Sequence, residues 1–435
     1  MKKSRVLVIL VAALVAAGVM MLASCGQASK KPVKLIYWSE GLSSTDTVGG
    51  KPKDQLTLFR YLKKYQELNP NVTIEQIEQT WDALPALFKA AGMAKSGPDV
   101  VGLWAGTFTT DYKDFIEPLD KYFTKDELAN YTGLDLCHID FDPTKPVIGI
   151  PHNATVYTIY YNKKLFAKAG IDEASLPTTW DGLIEAAQKL KAKGITPFLI
   201  GEKEGYNSVW AISEFLGDLI GPDGLRKLMT GTEKFSGEAF KTAEAEWKKI
   251  FDLGLTNKDF LSMGAFDVPT RFVKQQEAMI VNGSWMQKDL EKAIGAENLG
   301  AMLFPAVSAN APYGDYIVTQ PGTNMVVTSF SPNKQEAVKF VKFMTAADLQ
   351  KDYFLETGDL PANKKVSFAD YPNPITKIFT NLIATHKAVI GFDSLVPADS
   401  AQEFYRLAPL YVSGKMPIDQ MAKSLDDSMA KALKK

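Results

Sequence analysis

Five short stretches of this 435-residue chain set an aromatic ring beside small or polar side chains. They are Trp38-Ser39-Glu40, Trp104-Ala105-Gly106-Thr107, the pair Tyr206 and Trp210, Asn282-Gly283-Ser284-Trp285, and Trp81 in a turn before an Ala-rich segment. Such pairings suit a carbohydrate. A pyranose has an apolar face of C–H groups that stacks on Trp or Tyr, and a rim of hydroxyls that takes planar amides and carboxylates. Trp38, Trp81, Trp104, Tyr206, Trp210 and Trp285 are the candidates for the face. Glu40, Asn153, Asn324 and Asp393 are the candidates for the rim. Trp180 and Trp247 fall inside expected helices and read as packing residues.

Other chemistries find less in the sequence. There is neither a P-loop nor a G-x-G-x-x-G to cradle phosphate, and no G-x-S-x-G nucleophile elbow. The three His (138, 152 and 386) are dispersed and show no metal-ligand spacing, so neither a metal nor another cofactor is expected. Acids are plentiful, but no spacing singles out a glycosidase pair. Cys137 beside His138 is no nucleophile motif, because sequence neighbours point apart; it reads as a half-buried thiol. Tyr160 and Tyr161, adjacent in a strand, face opposite ways and cannot clasp one iron. Forty-nine basic against 50 acidic residues leave a net charge of −1, which excludes the electrostatic footprint of a nucleic-acid binder.

The rings sit at the ends of expected strands, where open α/β sheets bind ligands. Val33 to Trp38 reads as a strand. Asp54 to Leu68 reads as a helix with Leu58, Tyr61, Leu62 and Tyr65 on one face. A strand through Val72, Ile74 and Ile77, a helix from Leu84 to Lys95 and a strand from Val100 to Leu103 follow, the signature of a parallel sheet. The grammar then restarts. Val147 to Ile150, Val156 to Tyr161, Phe198 to Ile200 and Ala278 to Val281 read as strands. A helix from Trp180 to Lys193 has Thr179 as N-cap and Gly194 past its end. Ser331-Pro332 reads as an N-cap with Pro at N1 of a late helix. The last 60 residues are mostly helical, ending in the stripe Met421, Leu425, Met429 and Leu433. Two α/β lobes result.

Lys2, Lys3 and Arg5 followed by 17 apolar positions from Val6 to Leu22 describe an export signal. It ends in Leu22-Ala23-Ser24-Cys25, which resembles a bacterial lipobox. Cys25 is then acylated and becomes the first residue, with 25–32 a tether and the protein held outside the cytoplasm on the cell membrane.

Ser96-Gly97-Pro98-Asp99-Val100-Val101 resembles the Gly-x-Pro-Asp-Val segment of extracellular solute-binding proteins of the sugar-binding, maltose-binding-protein-like family. Ile148-Gly149-Ile150-Pro151-His152-Asn153-Ala154 through Tyr160-Tyr161-Asn162-Lys163-Lys164-Leu165-Phe166 is similar to its crossover and next strand. Ala169-Gly170-Ile171, Pro177-Thr178-Thr179-Trp180, Ala278 through Trp285 and Leu360-Pro361-Ala362 fit in the expected order. The resemblance implies a two-lobed type II periplasmic-binding fold with crossings near Ile150-Pro151, Pro305 and Leu360. The lobes would be 33–150 plus 306–360 and 151–305 plus 361–435, after a 1–24 signal peptide. It implies a monomer that captures sugar by hinge closure, hands it to the permease of an ABC importer and catalyses nothing. It also implies that Trp104 and Thr107 touch ligand in the first lobe and that Trp285 stacks on it in the second. Thr107 stands where maltose binders offer a carboxylate. An exported glycosidase, or a binder of a non-sugar solute such as a polyamine or iron complex, are the alternatives.

Overall fold

The computed structural model describes residues 31–40, 47–48, 51–80, 83–367 and 374–434. The leader with Cys25, Trp81 and the side chain of Glu40 lie outside the described residues.

The first strands are β1 (Val33–Glu40), β2 (Val72–Gln79), β3 (Val100–Trp104), β4 (Ile150–Pro151) and β5 (Asn153–Asn162). Then come β6 (Thr196–Leu199), β7 (Glu277–Gly283), β8 (Leu299–Met302) and β9 (Tyr316–Pro321). β10 (Thr323–Val327), β11 (Leu360–Pro361) and β12 (Lys387–Val389) complete the two sheets. One sheet has the order β2-β1-β3-β10-β4, the other β12-β9-β5-β7-β6, with β8 and β11 also paired to β5. In the first, β1 runs parallel to both β2 and β3, as the strand–helix alternation requires, and β10 enters antiparallel to β3. The sheets are α/β layers with helices on their faces, the fold class expected from the sequence.

Among the described residues, three chain crossings join the sheets. β4 passes into β5 through His152, β9 into β10 through Gly322, and the segment before Leu360 into β11. The middle crossing corrects the sequence reading. β9 lies within 306–360 yet pairs with β5 at Thr319, Gln320 and Pro321, so the chain leaves the second sheet at Gly322, not Pro305. Pro305 punctuates the sequence, whereas the real step is a single residue between two strands.

The helices used below are α1 (Thr57–Leu68), α2 (Leu84–Ala94), α3 (Trp180–Ala192), α4 (Tyr206–Met229) and α5 (Glu238–Asp252). They continue with α6 (Lys334–Met344), α7 (Ala347–Thr357), α8 (Ala398–Val412) and α9 (Ile418–Ala432). α1 buries Leu58, Tyr61, Leu62 and Tyr65, the stripe its spacing predicts. Thr179 caps α3 by accepting the Gly182 N–H at 3.3 Å. α6 starts later than expected. Asn333 is its N-cap residue, and the Ser331 hydroxyl lies ahead of the helix, donating to the Asp99 carboxylate at 2.5 Å and accepting the Asn333 N–H at 3.0 Å. Leu433 is 49% exposed and belongs to no core, since α9 ends at Ala432.

Candidate ligand-binding site

Rings from both lobes meet in one row. Trp104, at the end of β3, lies 6.1 Å from Tyr206 at the start of α4, edge to face. Tyr206 and Trp210 are one helical turn apart, so both project from one face of α4, and their planes lie within 11° at 6.3 Å. Trp210 meets Trp285 at 5.5 Å, and Tyr157 of β5 lies 6.0 Å from Trp210 and 6.3 Å from Trp285. Phe266, 48% exposed, extends the row past Tyr206 at 5.6 Å. Three sequence stretches thus converge on one aromatic row. Trp285 gets there by folding back over Gly283, where a Cβ would stand 1.9 Å from its ring. Only the missing side chain allows that approach.

Beside this row the two lobes touch along a seam. Gly106, with φ +76°, sits so close to Ser394 that a Cβ would stand 2.1 Å from the Ser394 carbonyl oxygen. The buried Thr107 hydroxyl donates to the Asp393 carbonyl at 3.4 Å. Asp111 Oδ2 accepts the Ala398 N–H at 2.9 Å, a first-lobe carboxylate on the N-terminus of second-lobe α8. These contacts join the first lobe to the second beside the row.

Asp393 stands beside the row. Tyr405 donates to its Oδ2 at 2.8 Å, burial pushes its carboxyl up to about 6, and its Oδ1 has no hydrogen-bond partner. The other rim candidates scatter. Asn153 sits at the crossings, where its Oδ1 accepts the Thr323 N–H at 2.8 Å. Asn324 is fully buried inside the first lobe, receiving the Cys137 thiol and donating to the Thr109 hydroxyl. Thr109 in turn donates to the Trp104 carbonyl at 2.6 Å, so Asn324 lies behind the Trp104 loop, not in the cleft. Trp38 packs half-buried against a separate first-lobe cluster that includes Leu84, Phe88 and Val101. Cys137 is wholly buried, not half-buried, and burial raises its thiol well above the usual range.

The sequence reading missed Tyr157, Tyr405 and Phe266. Tyr157 shows only as one position of an apolar strand, and Tyr405 only as one face of α8. Trp180 and Trp247 are fully buried core, as read, with their indole N–H groups on the Glu246 carbonyl and the Ser208 hydroxyl.

The family model described as bacterial extracellular solute-binding protein matches residues 51–351. The chain belongs to that family. Among its relatives is the multiple sugar-binding protein of Streptococcus mutans, 25% identical over 350 residues, 78% of this chain and 79% of that protein. An uncharacterised ABC transporter extracellular-binding protein of Pyrococcus horikoshii is 24% identical over 328 residues, 73% of this chain and 70% of that one. Among solved structures, a chitin oligosaccharide binding protein superposes with a TM-score of 0.82 at 23% identity, over 93% of this chain and all of that one. The sugar-binding protein MalE from Xanthomonas citri gives 0.68 at 18%, over 92% and 97%. The fold of this solute-binding protein is therefore the two-lobed one of those structures. The family places it outside the cytoplasm, among binders of solutes.

Proposed function

We propose that this solute-binding protein captures a mono- or oligosaccharide between its lobes and delivers it to the permease of an ABC importer. The observation that carries the reading is the row Trp104, Tyr206, Trp210 and Trp285, drawn from both lobes onto one cleft. Rings at this spacing offer faces and edges to pyranose C–H groups, while Asp393 and Thr107 stand beside them for hydroxyls. The names of the Streptococcus and chitin-oligosaccharide relatives support a sugar.

The mechanism is hinge capture. The lobes, divided as the sequence reading has them but with the middle crossing at Gly322, act as two bodies. Sugar bridges the rings of one and the other and favours the closed state by its differential affinity. Shifting the equilibrium from 1:99 to 99:1 takes about 5.5 kcal/mol of preference for the closed form. Acylated Cys25 keeps the monomer at the membrane, near its permease. No step requires a catalytic residue or cofactor.

Thermal unfolding of the unlipidated protein against a panel of mono- and oligosaccharides tests the reading. A ligand at 100 times its Kd adds about 2.7 kcal/mol to the native state and raises the midpoint by several degrees. A flat response to every sugar, with a shift from amino acids or metal chelates, would overturn it.

A further inference from the structure

Asn153 reads in sequence as a residue for sugar hydroxyls, yet its partners lie on the chain crossings. It opens β5, just past the β4–β5 crossing at His152. Its Oδ1 accepts the Thr323 N–H at 2.8 Å and its carbonyl accepts the Gly322 N–H at 3.1 Å, both on the β9–β10 crossing. The His152 N–H donates in turn to the Thr323 carbonyl at 2.8 Å. The fit is close. A Cβ on Gly322 would stand 2.7 Å from Asn153 Oδ1, so glycine is what admits the side chain there. Asn153 also pairs with Pro361 of β11, and its amide favours the ionised form of Asp359, on the segment entering β11.

A second amide ties the first crossing to the third. Gln350 sits on α7, part of the first-lobe core through Leu349. It is buried, and it donates to the Pro151 carbonyl at 3.0 Å and the Thr345 carbonyl at 3.3 Å. Its Oε1 accepts the Asn363 N–H, just past β11, at 2.8 Å. Asn153 and Gln350 together thus connect all three crossings.

Three linkers that turned independently would give the lobes many arrangements, and that freedom favours states in which they stand apart. Hydrogen bonds between the linkers restrict it, because a rotation at one crossing breaks the bond unless its neighbour turns too. The apparent Kd of any ligand is its intrinsic Kd divided by the fraction of chains in the competent arrangement. A change in that fraction therefore scales every ligand alike, whereas loss of a ligand contact does not.

We propose that Asn153 and Gln350 are positioning residues for capture, coupling the three crossings into one hinge and setting the fraction of unliganded chains in the ligand-holding arrangement. Neither touches ligand. This assignment rests on the capture reading above.

Two folded variants of the unlipidated protein test it, Asn153→Ala and Gln350→Met; the second keeps the side-chain length and removes three hydrogen bonds. Each is titrated calorimetrically with every saccharide that raises the unfolding midpoint, and its radius of gyration without ligand is measured by solution scattering. Each variant weakens all saccharides by one common factor, between three- and thirtyfold, and is more expanded than the wild type. One saccharide weakened tenfold more than another makes the residue a ligand contact and overturns the proposal. Wild-type affinity in both variants overturns it too, as do wild-type dimensions in both. If the wild type binds no saccharide, the capture reading falls, and scattering alone decides the hinge.

Discussion

Trp180 and Trp247 carry the same indole as Trp104, Trp210 and Trp285, and what separates them is where the side chain finds company. The first two are fully buried with their N–H groups paired inside the second lobe; the others meet rings from different segments at the cleft. Recurrence of aromatics at strand ends made Trp104, Trp210 and Trp285 legible from sequence, and helical context marked Trp180 and Trp247 as core. Amides were not legible, because an Asn near a strand end reads the same whichever face it takes. Asn324 pairs with Leu103 in the ladder and turns inward to Cys137 and Thr109. Its role is therefore positional. Asn324→Ala removes two buried side-chain hydrogen bonds, to Cys137 and Thr109, costs about 1–3 kcal/mol and lowers the unfolding midpoint by several degrees. It also weakens sugar binding, because Thr109, whose hydroxyl holds the Trp104 carbonyl, loses the amide that orients it. Paired unfolding scans and titrations check this; full stability with unchanged affinity would remove Asn324 from the support of the loop.

The elements that position the site follow from strong periodicity where it exists. α1 and α3 formed where their stripes and caps predict, and β1, β2 and β3 are parallel because helices separate them. The seam between lobes was not legible, because it joins Gly106–Asp111 to Phe392–Ala398 across nearly 290 residues with no local pattern to announce it. Its clearest feature is Asp111 on the N-terminus of α8. A carboxylate there is worth about 0.5–2 kcal/mol and exists only while the lobes are together. Asp111→Ala should weaken saccharide affinity three- to thirtyfold with little loss of stability in the unliganded protein, measured by calorimetry and thermal unfolding. Gly106→Ala should do more. Its methyl collides with the Ser394 carbonyl of the other lobe and also strains a backbone at φ +76°. A closed-state volume by solution scattering separates these outcomes: the variant with added saccharide stays at the dimensions of the unliganded protein.

At the scale of the whole molecule, buried acids set the pH response. Burial pushes Glu202 up to about 8 and Asp218 up to about 7, both from the ordinary carboxylate range. Between those ranges the folded chain binds more protons than the unfolded one, so stability is present at low pH and lost as pH rises through the folded values. Burial lowers His152 to about 4, so it is neutral when folded; its unfolded form sheds its last protons above pH 6.5, a gain of under about 0.5 kcal/mol that only partly offsets the acids. The unliganded protein should melt at a lower temperature at pH 8.5 than at pH 6.5, and Glu202→Gln should reduce the difference. A midpoint that rises across the same interval contradicts this. The two-lobed plan itself was legible because its strand–helix grammar runs twice and its segments keep the order of the family. The middle crossing was not, because Gly322 is one residue in a continuous β9–β10 run. The most direct test of saccharide capture by the aromatic row is a calorimetric titration. It compares wild type with Trp285→Ala, using the saccharide that most raises the unfolding midpoint. The expected result is one site per chain in the wild type and at least tenfold weaker binding in a folded variant. Equal affinity in the two proteins, or no saccharide bound by the wild type, would contradict the cleft as a sugar site.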